Sequence, residues 1–285
     1  AMAYSHNKGI VDLFGGRKDL QNGIIRAVGD AKKRFDEDAL RMLRAVRFAA
    51  QLGFKIDDDT FEAIKEKAKL LSKVSKERIF VELNKSLCGD FAQNIKMVYT
   101  SGLYRYIGKE FAKLDKSIYD FYPRKFHNKK HMYWAAFLEN IENVEAVKKI
   151  LFELKSDNAT RNNAYLLVKE LKNPLPSSDE DIRWSLHRIG ADLFCDYIEI
   201  LKSDKKNVDI LDKIDTIENR YILILKENHA YEISMLDITG KDLMDIGISK
   251  GPKIGEVLEF LLKKVIENPL NNEKSSLLRL AKEFI

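Results

Sequence analysis

This sequence predicts a mainly α fold: an elongated array of helical subdomains, with a short β segment at the N-terminus. Three observations carry that expectation. Glycine (14) and proline (5) are scarce among 285 residues, so few positions interrupt a helix. Apolar residues recur at spacings of three and four along most of the chain, the period of one helix face. Residues that suit helix starts and stops punctuate these runs.

In order along the chain, residues 1–30 read as two short extended segments around Gly15-Gly16, with Ile24, Ile25, Ala27 and Val28 as a short strand. Asp30 suits a helix start and Gly53 a helix stop, so residues 31–52 form one or two helices. Leu40, Leu43, Val46 and Ala50 would face a core, while Arg41, Arg44 and Arg47 run along another flank. Asp57-Asp58-Asp59-Thr60 caps a helix from Phe61 to Leu71, and Ser75 caps one reaching Leu87. From residue 90 to 230 amphipathic helices succeed one another, and Pro174–Ser178 is the best boundary within them. The last clear helix follows Gly251-Pro252 and turns Ile254, Val257, Leu258, Leu261, Leu262 and Val265 inward.

Composition narrows the class. Hydrophobic residues at 45% and charged ones at 33% describe a globular chain rather than a disordered one. A net charge of +5 suits a partner carrying phosphates. Cys88 and Cys195 lack metal-ligand spacing and read as reduced thiols of a cytoplasmic protein. No apolar run approaches the ~20 residues that span a bilayer, so no membrane is expected.

The richest stretch is Glu37-Asp38-Ala39-Leu40-Arg41. On one helix face, a carboxylate and a guanidinium three residues apart could imitate a base edge. Asp38 would accept the exocyclic N–H of cytosine or adenine, and Arg41 would donate to the neighbouring ring nitrogen. Uracil and guanine present the reverse order, and a bidentate match of this kind discriminates by roughly 1–3 kcal/mol. The same spacing also describes an ordinary helix-surface pair worth about 0.2–0.5 kcal/mol. Arg44 and Arg47, farther along the flank, could order a triphosphate or RNA backbone.

Val11-Asp12-Leu13-Phe14-Gly15-Gly16, Ile25-Arg26-Ala27-Val28-Gly29-Asp30 and the run Arg34 to Ala49 closely resemble the class II CCA-adding enzymes and the related bacterial poly(A) polymerases. Ser75 to Leu83 is similar to the family's last neck motif, and Gly240 to Ile248 with Gly251 to Gly255 is similar to its C-terminal part. The resemblance implies a nucleotidyltransferase that adds C, C and A to tRNA 3′ ends from CTP and ATP. Glu37, Asp38, Arg41, Arg44 and Arg47 would be its nucleotide-binding residues. It also implies a remnant of the catalytic head over 1–30, a nucleotide-selecting neck over 31–104, a helical body over 105–208 and an RNA-binding tail over 209–285.

Family members hold Mg²⁺ with an Asp-x-Asp pair in the head. Before residue 30 this chain has only Asp12 and Asp19. These residues are therefore expected to carry neither metal ligands nor catalytic groups, a separate head being a possible partner. The alternatives are a poly(A) polymerase of the same family and a non-catalytic RNA-binding module.

Two further groups point to RNA. Lys250, Gly251, Lys253 and Gly255 at a helix entrance form either a phosphate cradle or a tight turn into a packed helix. Lys129 and Lys130 lie in a basic cluster with His127 and His131, whose lysines favour phosphate over a zinc ion.

Overall fold

The computed structural model describes residues 2–6, 9–127 and 129–283. Strand β1 (Ala3–Ser5) pairs antiparallel with β2 (Gly9–Val11), and β3 (Ile24–Ile25) pairs parallel with β4 (Lys55–Ile56). The described helices in the first part of the chain are α1 (Gly16–Gln21), α2 (Ala31–Glu37), α3 (Leu40–Leu52), α4 (Asp58–Lys67), α5 (Lys76–Leu87), α6 (Lys96–Thr100) and α7 (Tyr104–Ile107). They continue with α8 (Lys130–Leu138), α9 (Glu145–Glu153) and α10 (Asn158–Leu171). A second compact unit begins at Asn173, beside the expected Pro174–Ser178 break. It holds α11 (Asp179–Ser203), α12 (Leu211–Lys226), α13 (Gly240–Asp245), α14 (Pro252–Glu267) and α15 (Lys274–Glu283). The fold is mainly α, as the periodicity predicts.

In the first unit α3 packs on α5, burying Met42, Leu43, Val46, Ala49 and Ala50 against Ile79, Phe80, Leu83 and Leu87. Two glycines fix this packing. Gly53 ends α3 with φ 72°, where a side chain would be strained. Gly89 lies so close to the Ala50 carbonyl that an added Cβ would stand 2.2 Å from its oxygen. Phe91 N–H donates to that carbonyl at 2.8 Å. Phe80 also stacks on the buried Trp134 of α8, with centroids 5.6 Å apart.

The second unit closes around Leu243, Ile248, Val257, Leu261, Leu262, Val265, Leu277 and Ala281. The face expected of α14 is the one it buries. Arg183, itself buried, donates from Nε to the Ile266 carbonyl at 2.8 Å and so closes the end of that helix.

Three local expectations are corrected. Strand is not confined to the first 30 residues: the reversal at Gly53 lays Lys55–Ile56 beside β3, and Lys55 N–H donates to the Gly23 carbonyl at 2.8 Å. Gly16–Gln21 is helical rather than extended, because Asp12 accepts from the N–H groups of Gly16 and Arg17 at 2.8 Å each and caps its first turn. The acidic cap starts its helix at Asp58 rather than Phe61, with Asp57 accepting from Thr60 N–H at 3.2 Å, and the chain turns 3₁₀ from Ala68 to Lys73.

Candidate nucleotide-binding cleft

The wall of the cleft is the first three turns of α3. Arg41, Arg44, Ala45 and Phe48 fall on one side of that helix and line a hollow of about 360 Å³. Phe14, Ile25, Ala27, Val28, Phe35 and Thr60 complete it, together with Arg26 and Arg34. Its surface is therefore apolar and aromatic, with guanidiniums at the edge.

The four arginines differ in what they hold. Arg26 is paired with Asp19 at 3.2 Å and with Asp57 at 2.5 Å. Those carboxylates hold its guanidinium proton more tightly than usual, Asp19 first. Arg34 is paired with Glu37 at 2.9 Å and donates to the Val28 carbonyl at 3.2 Å. Arg41 and Arg44 are exposed, and no carboxylate among the described residues lies within ion-pairing distance of either. Two uncommitted guanidiniums one turn apart thus face an apolar slot. Such a surface fits a flat heteroaromatic ring carrying phosphates.

The expected carboxylate stands elsewhere. Asp38 is not on a helix face with Arg41, because the chain is extended at that residue (φ −149°, ψ 101°) and separates α2 from α3. Its carbonyl accepts from Arg41 N–H at 3.1 Å and its carboxylate accepts from Leu40 N–H at 3.1 Å, so it caps α3. The same carboxylate is gripped by Arg78 of α5, whose Nη2 lies 3.1 and 3.3 Å from its two oxygens. Asp38, Glu37, Ser75 and Arg78 line a second hollow of about 320 Å³. Phe35, buried, lines both hollows and stands between Asp38 and the arginine wall.

Arg47 does not line the cleft either. It lies 3.0 Å from Glu82 of α5, both side chains nearly buried, in an ion pair without hydrogen-bond geometry. Its guanidinium also covers the Phe48 ring at 4.0 Å.

Of the RNA candidates, Lys250, Gly251, Lys253 and Gly255 are all exposed at the start of the sixteen-residue α14. Gly251 has φ 127°, Pro252 occupies the first turn and no side chain caps the helix. That leaves its leading N–H groups and two lysines open to an anion. Lys129 and Lys130 are exposed at the start of α8, in the first unit.

The sequence reading missed Phe14, Arg34, Phe48 and Arg78. Phe48 was legible, since it continues the row of Arg41 and Arg44 by one more turn. Phe14 and Arg78 were not, for they reach the site only through chain reversal and the α3–α5 packing.

Comparison with known proteins identifies the family. The family model for tRNA nucleotidyltransferase domain 2 matches residues 125–281. A second, described as "Probable RNA and SrmB-binding site of polymerase A", matches residues 53–114. The CCA-adding enzyme of Lactococcus lactis subsp. lactis is 33% identical over 288 residues, spanning all of this chain and 69% of that enzyme. That of Pediococcus pentosaceus is 34% identical over 287 residues, spanning 98% of this chain and 68% of the relative. The crystal structure of the Bacillus stearothermophilus CCA-adding enzyme in complex with CTP superposes with a TM-score of 0.80 at 26% identity, covering 99% of this chain and 70% of that one. The chain belongs to the CCA-adding tRNA nucleotidyltransferase family, spanning about two thirds of the length of these relatives.

Proposed function

We propose that these residues select CTP and ATP and hold tRNA for the addition of C, C and A at its 3′ end. The observation that carries the reading is the pair of uncommitted guanidiniums, Arg41 and Arg44, on the wall of an apolar, aromatic cleft. Arg41 donates to the base ring nitrogen and Arg44 to phosphate. Asp38, two residues before α3 and separated from the wall by Phe35, accepts the exocyclic N–H once it lets go of Arg78. Arg34 pairs Glu37 beside it and keeps that carboxylate off the phosphates. Arg47 acts as scaffold between α3 and α5. The 26%-identical enzyme crystallised with CTP supports the choice of ligand.

In domain terms we propose a head remnant over 1–30, a neck over 31–104, a body over 105–208 and a tail over 209–285. Lys250, Gly251, Lys253 and Gly255 of the tail, and Lys129 and Lys130 of the body, contact tRNA phosphates. Among the described residues no group of three or more His, Cys, Asp or Glu is placed to hold a metal ion. The Mg²⁺ of nucleotidyl transfer we assign, as the family resemblance implies, to carboxylates of the catalytic head. No described helix is long and apolar enough to cross a membrane, and we place the protein in the cytoplasm.

Titration calorimetry of the chain with each nucleotide tests the reading. CTP and ATP should bind at least about tenfold more tightly than UTP and GTP, as one bidentate base contact provides. Equal affinity for all four would overturn it. The match to a polymerase A model favours a second reading, addition of A alone. In that case ATP would bind and CTP would not.

A further inference from the structure

The last turn of α2 is a partition between two hollows. On one side Phe35 lines the cleft of about 360 Å³, and on the other the hollow of about 320 Å³ that holds Asp38 and Arg78. Its side chain is 2% exposed. Arg34, which lines the cleft, pairs at 2.9 Å with Glu37, which lines the second hollow, and both of these side chains are exposed. The ring is therefore the buried part of the partition and the ion pair its solvent-facing part.

The backbone of the partition is held at both ends. Lys67 of α4 donates to both carboxylate oxygens of Asp36 at 2.9 Å, and Lys32, in the first turn of α2, pairs with Glu66 of α4 at 2.5 Å. Toward α3 the chain is freer, since only Asp38 and Ala39 separate the two helices and Asp38 is extended. The Phe35 ring is also free to turn. A protein interior is close-packed, and a buried ring changes rotamer only where there is room for it. Here a hollow lies on each side, so rotation of the ring does not require α2 to move.

We infer that Phe35 is a gate that positions Asp38. Its ring keeps the carboxylate with Arg78 until a base lies against Arg41, and then turns aside to admit it to the cleft. Asp38 makes that passage by giving up the Leu40 N–H and Arg78.

A ligand shifts such an equilibrium only by binding one state better than the other. An exocyclic amino group gains a hydrogen bond from Asp38 in the open state alone. A carbonyl at the same place gains none and repels the carboxylate, so the gate stays shut against it. Phe35 thus acts through Asp38 and is a positioning residue. The choice of base rests on the proposed function, whereas the movement of the ring does not.

The test follows the ring itself, by fluorine NMR of the whole chain with para-fluorophenylalanine in place of Phe35. CTP or ATP should move the ring into a second environment, and UTP or GTP should leave it where it was. Arg78→Ala, which frees Asp38, should shift the ring toward that second environment with no nucleotide present. Affinity gives the independent arm. Phe35→Trp, with its larger ring, should hold the gate shut, so that a preference for ATP over GTP of at least about tenfold falls to about one. Phe35→Leu, which opens the partition, should keep the preference. A ring with a purely structural role would lower the melting temperature of both variants and leave the preference as it was, and that result would overturn the gate. So would a single ring environment unmoved by any nucleotide and by Arg78→Ala, which decides the matter should Phe35→Trp fail to fold. Equal affinity of the parent for all four nucleotides would sink the base reading instead, and the response of the ring to Arg78→Ala would then decide the gate by itself.

Discussion

Arg78 reaches from α5 to hold both carboxylate oxygens of Asp38, forty residues away in sequence, at 3.1 and 3.3 Å. The pair is partly exposed, with Arg78 more open than Asp38. A pair of that exposure contributes about 0–1 kcal/mol to stability, so its consequence is for the direction of the carboxylate rather than for the fold.

Asp38→Ala and Arg41→Ala should therefore each relax the preference for CTP and ATP over UTP and GTP, by about the tenfold that one lost hydrogen bond of a recognition pair represents. Arg78→Ala should change melting temperature little. Competition titrations with the four nucleotides give the ratios directly. Parental ratios in the Asp38 and Arg41 variants would reduce the pair to a helix cap and a surface cation.

Arg44 and Arg47 lie one turn apart and should behave oppositely. Arg44→Ala removes an uncommitted cation from the cleft, so all four nucleotides should bind more weakly by a similar factor, about tenfold for a charge-assisted bond of ~1.5 kcal/mol. Arg47→Ala strands the carboxylate of Glu82 against the α3–α5 core. Breaking such a pair from one side costs about 3 kcal/mol. Thermal melts should then fall for Arg47→Ala and hold for Arg44→Ala; the reverse pattern would exchange their roles.

Lys250 and Lys253 are exposed beside the open start of α14. If they meet tRNA phosphates, each removal to Ala should lower the slope of log affinity against log salt by about 1, without changing sequence preference. Anisotropy with a labelled tRNA across a salt series measures this. An unchanged slope in the double variant would leave Gly251-Pro252 as a turn into a packed helix and nothing more.

Asp242 is one carboxylate of the second unit whose ionised form the fold favours. Its carboxyl is held far below the ordinary carboxylate range, first by Lys274 at 2.6 Å and then by the hydroxyl and N–H of Thr239, with which it closes the capping box of α13. A folded-state pKa below the unfolded value of about 4 stabilises fully above that pH and is lost as pH falls below it. Asp242→Asn should accordingly flatten the decline of melting temperature below pH 4 and lower it slightly at neutral pH. An unaltered acid limb would rule the pair out as a contributor.

The sequence by itself determined the local structure: the scarcity of Gly and Pro, the 3–4 spacing of Leu43, Val46 and Ala50, and caps such as Asp30 and Thr239 each act within a turn or two of chain. It also placed Arg41 and Arg44 on one wall, since neighbours one turn apart share a helix face in any fold. Only the tertiary structure decided what those residues see. Asp38 left the helix because its own carboxylate competes for the N–H of Leu40. Arg47, one turn beyond Arg44, was drawn to Glu82 by the packing of α5. Phe14 and Arg78 reached the site from distant segments, through contacts that no spacing along the chain encodes.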